Sequence, residues 1–378
     1  MMAYTYRHGD RPLEGFTIQR AVGRGGFGEV YYAVSDGGRE VALKYLRDNP
    51  DIELRGVTHC MNLSSPHLVK VFDVKKNADG EYFIVMEYIE GPSLRDILIA
   101  EPKGLGPQKA AFFIRELAKG LGYLHEHGIV HRDMKPGNIF YEDGYVKIGD
   151  YGLSKFISVS RHSAQTASVG TVHYMAPEIG SGNYHRGIDI YALGVMLYEM
   201  LLGRVPYEGS SMAEVLMKHL TDQPAVDALP HPFAQVIRKA MAKDPKDRYQ
   251  EVGEMADELL GVETVRQSLV GFDTVSLAEA VRKVEIPPTE EVPQATAAPE
   301  EPEVAVLVAG LGVGDLRDWA DQAGDTLKDV ATEVGATGVL RGWADRAGDA
   351  LKAAAAGEPV GTPKGTAPPL SPEASSGR

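Results

Sequence analysis

Cysteine is nearly absent from this chain. Cys60 is the only one in 378 residues, which excludes an internal disulfide and fits a reducing, cytoplasmic setting. Basic residues are also scarce. Lys and Arg number 39 against 53 Asp and Glu, a net charge of −14. That balance excludes nucleic acid as a main partner, because phosphate backbones demand a basic surface. Long hydrophobic runs are missing too. The apolar stretch Val304–Gly314 is eleven residues, too short to cross a bilayer, so no transmembrane segment is expected. The start, Met1-Met2-Ala3-Tyr4, lacks the basic and extended apolar regions of a signal peptide. The length admits about two to three domain-sized units.

What is present concentrates in one run, His131-Arg132-Asp133-Met134-Lys135-Pro136-Gly137-Asn138. It sets a carboxylate, an ammonium and an amide at offsets of zero, two and five residues. These groups suit phosphoryl transfer: the carboxylate orients a hydroxyl, the ammonium offsets phosphate charge, and the amide carbonyl ligates a divalent cation. Twelve residues beyond Asn138, Asp150-Tyr151-Gly152 supplies a second acid. The ordered run resembles the catalytic segment of protein kinases. Because Asp133 is followed by Met134-Lys135-Pro136 rather than a Leu-Ala-Ala-Arg-like run, the resemblance is to the serine/threonine kinases, Hanks-type enzymes with bacterial relatives.

The rest of the resemblance follows in family order. Gly23-Arg24-Gly25-Gly26-Phe27-Gly28-Glu29-Val30 is similar to the kinase glycine-rich loop, with Gly23, Gly25 and Gly28 at its key places. It lies between strand-like Phe16-Thr17-Ile18 and Val30–Val34, where a glycine turn lets backbone amides approach phosphate. In Val41-Ala42-Leu43-Lys44, Lys44 closes an apolar strand, and the resemblance assigns it to the ATP phosphates and to a glutamate on the next helix. Asn49-Pro50 can open that helix, expected over Asp51–Leu63. The family's usual glutamate position falls near Gly56, so Glu53, one turn earlier on the same face, is the expected partner of Lys44. The alternative is that Glu53 is an acid favoured by the helix's first turn. Tyr82–Tyr88 reads as a buried strand entering a hinge. The resemblance makes Met86 the gatekeeper, aims backbone groups of Glu87 and Ile89 at adenine, and sets Val30, Ala42 and Phe140 against the purine.

In the second half, Gln108–His127 has apolar residues at helical spacing (Phe112, Phe113, Leu117, Leu121, Leu124), with Gly128 as a stop. His131 is expected to be a packed scaffold residue, leaving Asp133 to position the substrate hydroxyl. Thr171 sits where serine/threonine kinases bond the catalytic Asp and Lys. Ala176-Pro177-Glu178 closes the activation segment, Glu178 is expected to pair with Arg248, and Asp189 to brace the catalytic loop. Tyr151 stands where the family usually has phenylalanine, so its hydroxyl needs a partner if buried. Arg132 beside Asp133 predicts phosphate in the activation segment, among Ser158, Ser160, Ser163, Thr166 and Ser168, with Thr166 and Ser168 favoured.

The chain changes character after about residue 260. Residues 261–378 hold ten basic and nineteen acidic residues. Pro287, Pro288, Pro293, Pro299 and Pro302 mark a Pro/Glu/Ala linker. A repeat of period twenty-four follows: Leu316-Arg317-Asp318-Trp319 through Lys328 recurs as Leu340-Arg341-Gly342-Trp343 through Lys352. Both tryptophans lie here. Leu316, Trp319, Ala320, Ala323 and Leu327 make one helical stripe, which can pair with its copy, dock on the preceding domain, capture a protein partner or remain a solvated helical pair.

The resemblance therefore implies an α+β, bilobal protein kinase fold, with a β-rich N-lobe carrying one regulatory helix and a mostly α C-lobe. A largely disordered acidic tail with two short amphipathic helices is expected after it. The expected units are 14–260 for the kinase domain, 261–303 for the linker, 304–356 for the helical repeat and 357–378 for a disordered tail. Implied cofactors are ATP and Mg2+. Asp133, Lys135, Lys44 and Glu53 form the expected catalytic set, and Asn138 and Asp150 the metal ligands. Partners are proteins with Ser/Thr acceptors. The other reading is a pseudokinase scaffold that presents the repeat to partners.

Overall fold

The computed structural model describes residues 4–25, 28–47, 57, 59–151, 172–270 and 272. All lie in the first of two units into which the chain divides, Met1–Val292 and Pro293–Arg378. The expected helical repeat and tail fall outside the described residues.

The first lobe is one antiparallel sheet in the order β1-β2-β3-β5-β4. Its strands are β1 (Phe16–Gly25), β2 (Gly28–Ser35), β3 (Glu40–Leu46), β4 (Val71–Lys76) and β5 (Tyr82–Met86). Alternation decides its two faces. Ile18, Tyr31, Ala33, Val41, Leu43, Phe83 and Val85 form a buried cluster on one side, closed by Leu13. Val30 pairs with Lys44 and Ala42 with Met86 across the strands, which sets these four on the opposite face. The predicted strand Tyr82–Tyr88 ends as a strand at Met86. Of the expected helix over 51–63, residues 57, 59 and 60 have helical backbone, and Val57 and Cys60 are buried. Its start and Glu53 lie outside the described residues.

The second lobe is helical. Its first helix, α1 (Leu94–Ala100), begins with a reciprocal cap. The Ser93 hydroxyl accepts from the Asp96 amide at 3.2 Å, and Asp96 accepts from the Ser93 amide at 2.9 Å. Helix α2 (Gly106–Glu126) starts one turn's fraction earlier than predicted and buries the predicted stripe from Phe112 to Leu124. Gly128, at φ 72°, turns the chain out of it. A two-strand hairpin follows, β6 (Ile139–Glu142) and β7 (Tyr145–Ile148), joined by Asp143 and Gly144 at φ 49° and 85°. Two successive positive φ values match the right-handed twist of a hairpin, hence the Asp-Gly pair.

Helix α3 (Gly187–Leu202) is apolar on all sides and buried along nearly its whole length, as expected of a helix at the centre of a lobe. The lobe also contains α4 (Met212–Thr221), α5 (His231–Ala240), which packs on α3, and α6 (Val252–Leu260), which packs on α2. Among the described residues no helix is long and apolar enough to cross a membrane.

One boundary differs from expectation. The segment read as the start of an extended linker, from 261, forms α7 (Glu263–Leu269). Val265 is buried, Gln108 of α2 bonds the Ser268 carbonyl, and the Phe272 ring lies 5.2 Å from that of Phe112. The prolines that mark the linker begin only at Pro287, and within the proline-free stretch before them residues 263–269 are held as a helix by apolar contact with α2.

Glu178 and Arg248 pair as expected, through two parallel bonds of 2.6 and 2.8 Å, with both side chains buried. Arg248 also donates to the carbonyls of Gly187, Ala242 and Lys243. Removing one partner of such a pair strands a buried charge. Arg248→Ala should lower unfolding free energy in urea by about 3–5 kcal/mol; Arg248→Lys, which keeps charge but not the planar fork, should lose less.

A second buried polar group gives a pH signature. Burial first, then the Lys243 ammonium and the charge of His173, push the His219 imidazole down to about 3. Its Nδ1 lies 2.8 Å from the Tyr191 hydroxyl. A histidine neutral when folded but titrating near 6.5 when unfolded contributes stability that is complete above that value. The contribution is lost as pH falls towards 3, with a slope approaching ~1.4 kcal/mol per pH unit. His219→Gln should flatten the dependence of unfolding free energy on pH in that window.

Candidate active site

The loop 131–138 is held from behind by one side chain. Asp189, in the first turn of α3, is buried. Its Oδ2 accepts from the His131 amide and its Oδ1 from the Arg132 amide, each at 2.8 Å, and His125 Nε2 lies 2.8 Å from Oδ2. Arg132 sits at φ 69°, a left-handed conformation unfavourable for a side-chain-bearing residue. The two amide bonds hold it there.

The imidazole of His131 is committed to scaffolding. Its Nε2 donates to the Gly149 carbonyl at 2.9 Å, and its Nδ1 accepts from the Asp133 amide at 3.3 Å. These two bonds tie the loop to the segment that carries Asp150.

Asp133, Lys135 and Asn138 converge. Lys135 Nζ is 2.7 Å from Asp133 Oδ2. Asn138 Nδ2 donates to the Asp133 carbonyl at 2.8 Å and to Oδ2 at 3.1 Å. With its amide hydrogens directed at Asp133, what Asn138 can offer a cation is its carbonyl oxygen. The hairpin brings the other acid alongside: β6 and β7 pair Ile139 with Ile148, and the Gly149 amide donates to the Asn138 carbonyl at 2.8 Å. Asp150 follows at φ 56°.

Across the lobes, buried Lys44 places Nζ 3.1 Å from Asp150 Oδ1. Burial alone would raise the Asp150 pKa. The Lys44 ammonium outweighs it, helped by Lys135, and holds the carboxyl below its ordinary range. Asp150 is therefore an anion at neutral pH. One carboxylate and one amide carbonyl suit a hard divalent cation whose remaining ligands are phosphate oxygens and water. Among the described residues no cluster of three or more His, Cys, Asp or Glu offers a protein-only metal cage.

In the first lobe, Val30, Ala42, Lys44 and Met86 share one face of the sheet. Gly23 pairs with Val30, and Gly25 with Gly28. Gly28 has φ 141°, and a Cβ there would fall 1.9 Å from the Tyr45 carbonyl oxygen, so only glycine fits. In the hinge, the Glu87 amide donates to the Lys70 carbonyl at 2.8 Å, leaving its own carbonyl as the group to face a base. Ile89 follows in the same hinge segment, and Phe140 lies on β6 opposite Lys147. Glu53, Gly152, Thr171 and the serines and threonines from Ser158 to Ser168 lie outside the described residues.

Two partners had no signal in the sequence. Tyr151 is buried, and its hydroxyl donates to the Val69 carbonyl at 2.5 Å. Arg132 places its guanidinium 4.8 Å from the Tyr184 ring centre, a cation–π contact, and burial lowers its pKa. Neither Val69 nor Tyr184 belongs to a motif, since a carbonyl contact and a ring face leave no residue pattern.

Comparison with known proteins gives a consistent result. Residues 16–260 match the protein kinase domain family. A probable serine/threonine-protein kinase of Clostridium perfringens is 38% identical over 260 residues, 65% of this chain and 38% of that protein. Serine/threonine-protein kinase PrkC of Bacillus subtilis is 34% identical over 261 residues, 65% of this chain and 40% of that protein. Serine/threonine-protein kinase PknB of Mycobacterium leprae is 35% identical over 260 residues, 64% and 42% of the two chains. The matched region thus spans about two-fifths of each relative's length.

Tyr151→Phe restores the residue usual in the family but removes the donor to Val69. Unfolding free energy should fall by about 1 kcal/mol, measured by urea titration, with nucleotide binding retained.

Proposed function

Because the chain belongs to the protein kinase family, we propose that it is an active serine/threonine protein kinase, moving the γ-phosphoryl group of ATP to protein hydroxyls. The observation that carries this reading is the convergence of Lys135 and Asn138 on Asp133, with Asp150 held as an anion beside Lys44. These groups supply the carboxylate, ammonium and amide that in-line transfer calls for.

Asp133 accepts the hydrogen bond of a substrate serine or threonine hydroxyl and aims its oxygen at the phosphorus. The new O–P bond forms as the bond to ADP breaks, and the hydroxyl proton passes to Asp133. Lys135, already against Asp133, offsets negative charge developing on the transferred group. Lys44 holds the phosphates from the N-lobe side, and Glu53 is its proposed helix partner. Asn138 and Asp150 would hold Mg2+, which when bound neutralises phosphate charge. The adenine falls to Val30, Ala42, Met86, Glu87, Ile89 and Phe140.

Regulation is read from Arg132. Its guanidinium, held behind the loop over Tyr184, suits an activation-segment phosphate at Thr166 or Ser168. The lone buried cysteine supports a cytoplasmic site of action. The repeat at 316–352 is offered as a partner-binding element.

Asp133→Asn should lower phosphoryl transfer to a protein substrate in Mg-ATP by roughly 10²–10⁴-fold, with nucleotide affinity unchanged. If wild type and variant are equally inert while both bind nucleotide, the chain is a scaffold instead. Glu53→Gln should weaken nucleotide binding, and mass spectrometry after incubation with ATP should find phosphate between residues 158 and 168.

A further inference from the structure

The glycine-rich turn contains an ionisable group that the proposed chemistry does not use. Glu29 directly follows Gly28 on β2 and is wholly buried. It lies opposite Arg24 on β1 and Tyr45 on β3, on the face away from Val30 and Lys44. Alternation along β2 therefore puts neighbouring residues to different uses: Val30 faces the cleft, and Glu29 faces the outside of the lobe.

That outer face is covered by a segment preceding the family match. The Thr5 amide donates to Glu29 Oε2 at 2.9 Å. Arg24 Nη2 lies 2.6 Å and Arg47 Nη1 3.2 Å from Oε1, and the Tyr31 hydroxyl donates to Oε2. Burial alone would push this carboxyl up, but the donors from Tyr31, Thr5 and Arg24 together hold it down, so it is a buried anion. The segment is itself anchored. The Tyr6 amide donates to the Tyr31 hydroxyl at 3.1 Å and its own hydroxyl to Glu81 at 2.6 Å. Its ring packs against Tyr31, Tyr45 and Phe83. Farther along, the Gly9 amide donates to Ile18 and the Ile18 amide to Asp10, both at 2.9 Å. The Tyr4 ring takes the Arg24 guanidinium at 4.9 Å.

We propose that Glu29 is a positioning residue for the nucleotide phosphates. Tied to the strap Tyr4–Asp10 and to Arg24, it fixes the base of the glycine-rich turn from outside the cleft. Arg24 immediately precedes Gly25 and Glu29 immediately follows Gly28, so their ion pair closes the hairpin where the phosphate-facing amides begin. Glycines contribute no side chains that would hold a turn in one shape. The strap supplies that constraint through one carboxylate. The inference rests on the reading of this turn as the phosphate cradle.

The test uses the full chain and two ligands, a non-hydrolysable ATP analogue and adenosine. Glu29→Gln should weaken the analogue about ten-fold, the scale of a small misplacement of binding groups, while leaving adenosine affinity unchanged. In turnover it should raise KM for ATP and leave kcat and the KM for protein substrate alone. A merely structural lesion would weaken both ligands together. Should Glu29→Gln not fold, Thr5→Pro, which removes both the amide and the hydroxyl donor of Thr5 to Glu29 at an exposed position, decides the matter with the same split in smaller degree. Equal loss of both ligands, or undiminished binding of the analogue, overturns the proposal. A wild type that binds the analogue but transfers no phosphate would refute catalysis and leave the comparison of the two ligands intact.

Discussion

The loop 131–138 depends on the carboxylate of Asp189. Set in the first turn of a helix buried along nearly its whole length, Asp189 cannot move without moving the core of the second lobe. Its oxygens take the amides of His131 and Arg132, and a buried carboxylate satisfied by backbone donors is a rigid anchor. From that anchor come the left-handed Arg132, the direction of Asp133, and the His131 ring that reaches Gly149. The reactive groups need not hold themselves in place. Loop residues usually lack the precision of helical ones, and here a helix lends its precision to a loop.

The two lobes meet through a second set of contacts that converge on the Asp150 segment. The Val69 amide donates to Ile148, and the Ile148 amide to His67, both at 2.9 Å. Two residues past Ile148, this backbone seam gives way to side chains: Lys44 meets Asp150, and Tyr151 meets the Val69 carbonyl. The extra hydroxyl, relative to phenylalanine, is therefore no idle polar atom. It adds a hydrogen bond between the segment bearing Asp150 and the loop that precedes β4.

Buried charge recurs at each mechanically important point: Asp189 behind the loop, Glu178 with Arg248 beneath the activation segment's end, Glu29 behind the glycine turn. Each anion is compensated by several donors from different elements. Such groups do little for net stability compared with apolar packing. They fix geometry, since a displaced partner leaves a charge uncompensated in a poorly polarisable interior.

Much of this was legible in the sequence because the reactive groups of a catalytic loop stand close along the chain. Asp133, Lys135 and Asn138 lie within six positions, so spacing alone exposes their chemistry. The period of α2 marked its buried stripe, while Val30, Ala42 and Lys44 were assigned through the family resemblance and their shared face came from the strand register. The pairing of Glu178 with Arg248, seventy residues apart, was accessible only through the family resemblance. The remainder required the folded chain. Nothing in a sequence marks the Val69 carbonyl as the acceptor for Tyr151, or the Tyr184 ring as the support of Arg132, or Thr5 as a donor to Glu29. Nor does composition reveal that residues 263–269 turn into a helix against α2. These contacts join segments far apart in the chain and involve backbone atoms or ring faces that every sequence possesses. What the sequence by itself determined was the identity and local order of the reactive groups, because chemistry resides in side chains. The tertiary structure alone decided which buried partners hold them, because that depends on which surfaces come together when apolar area is removed from water.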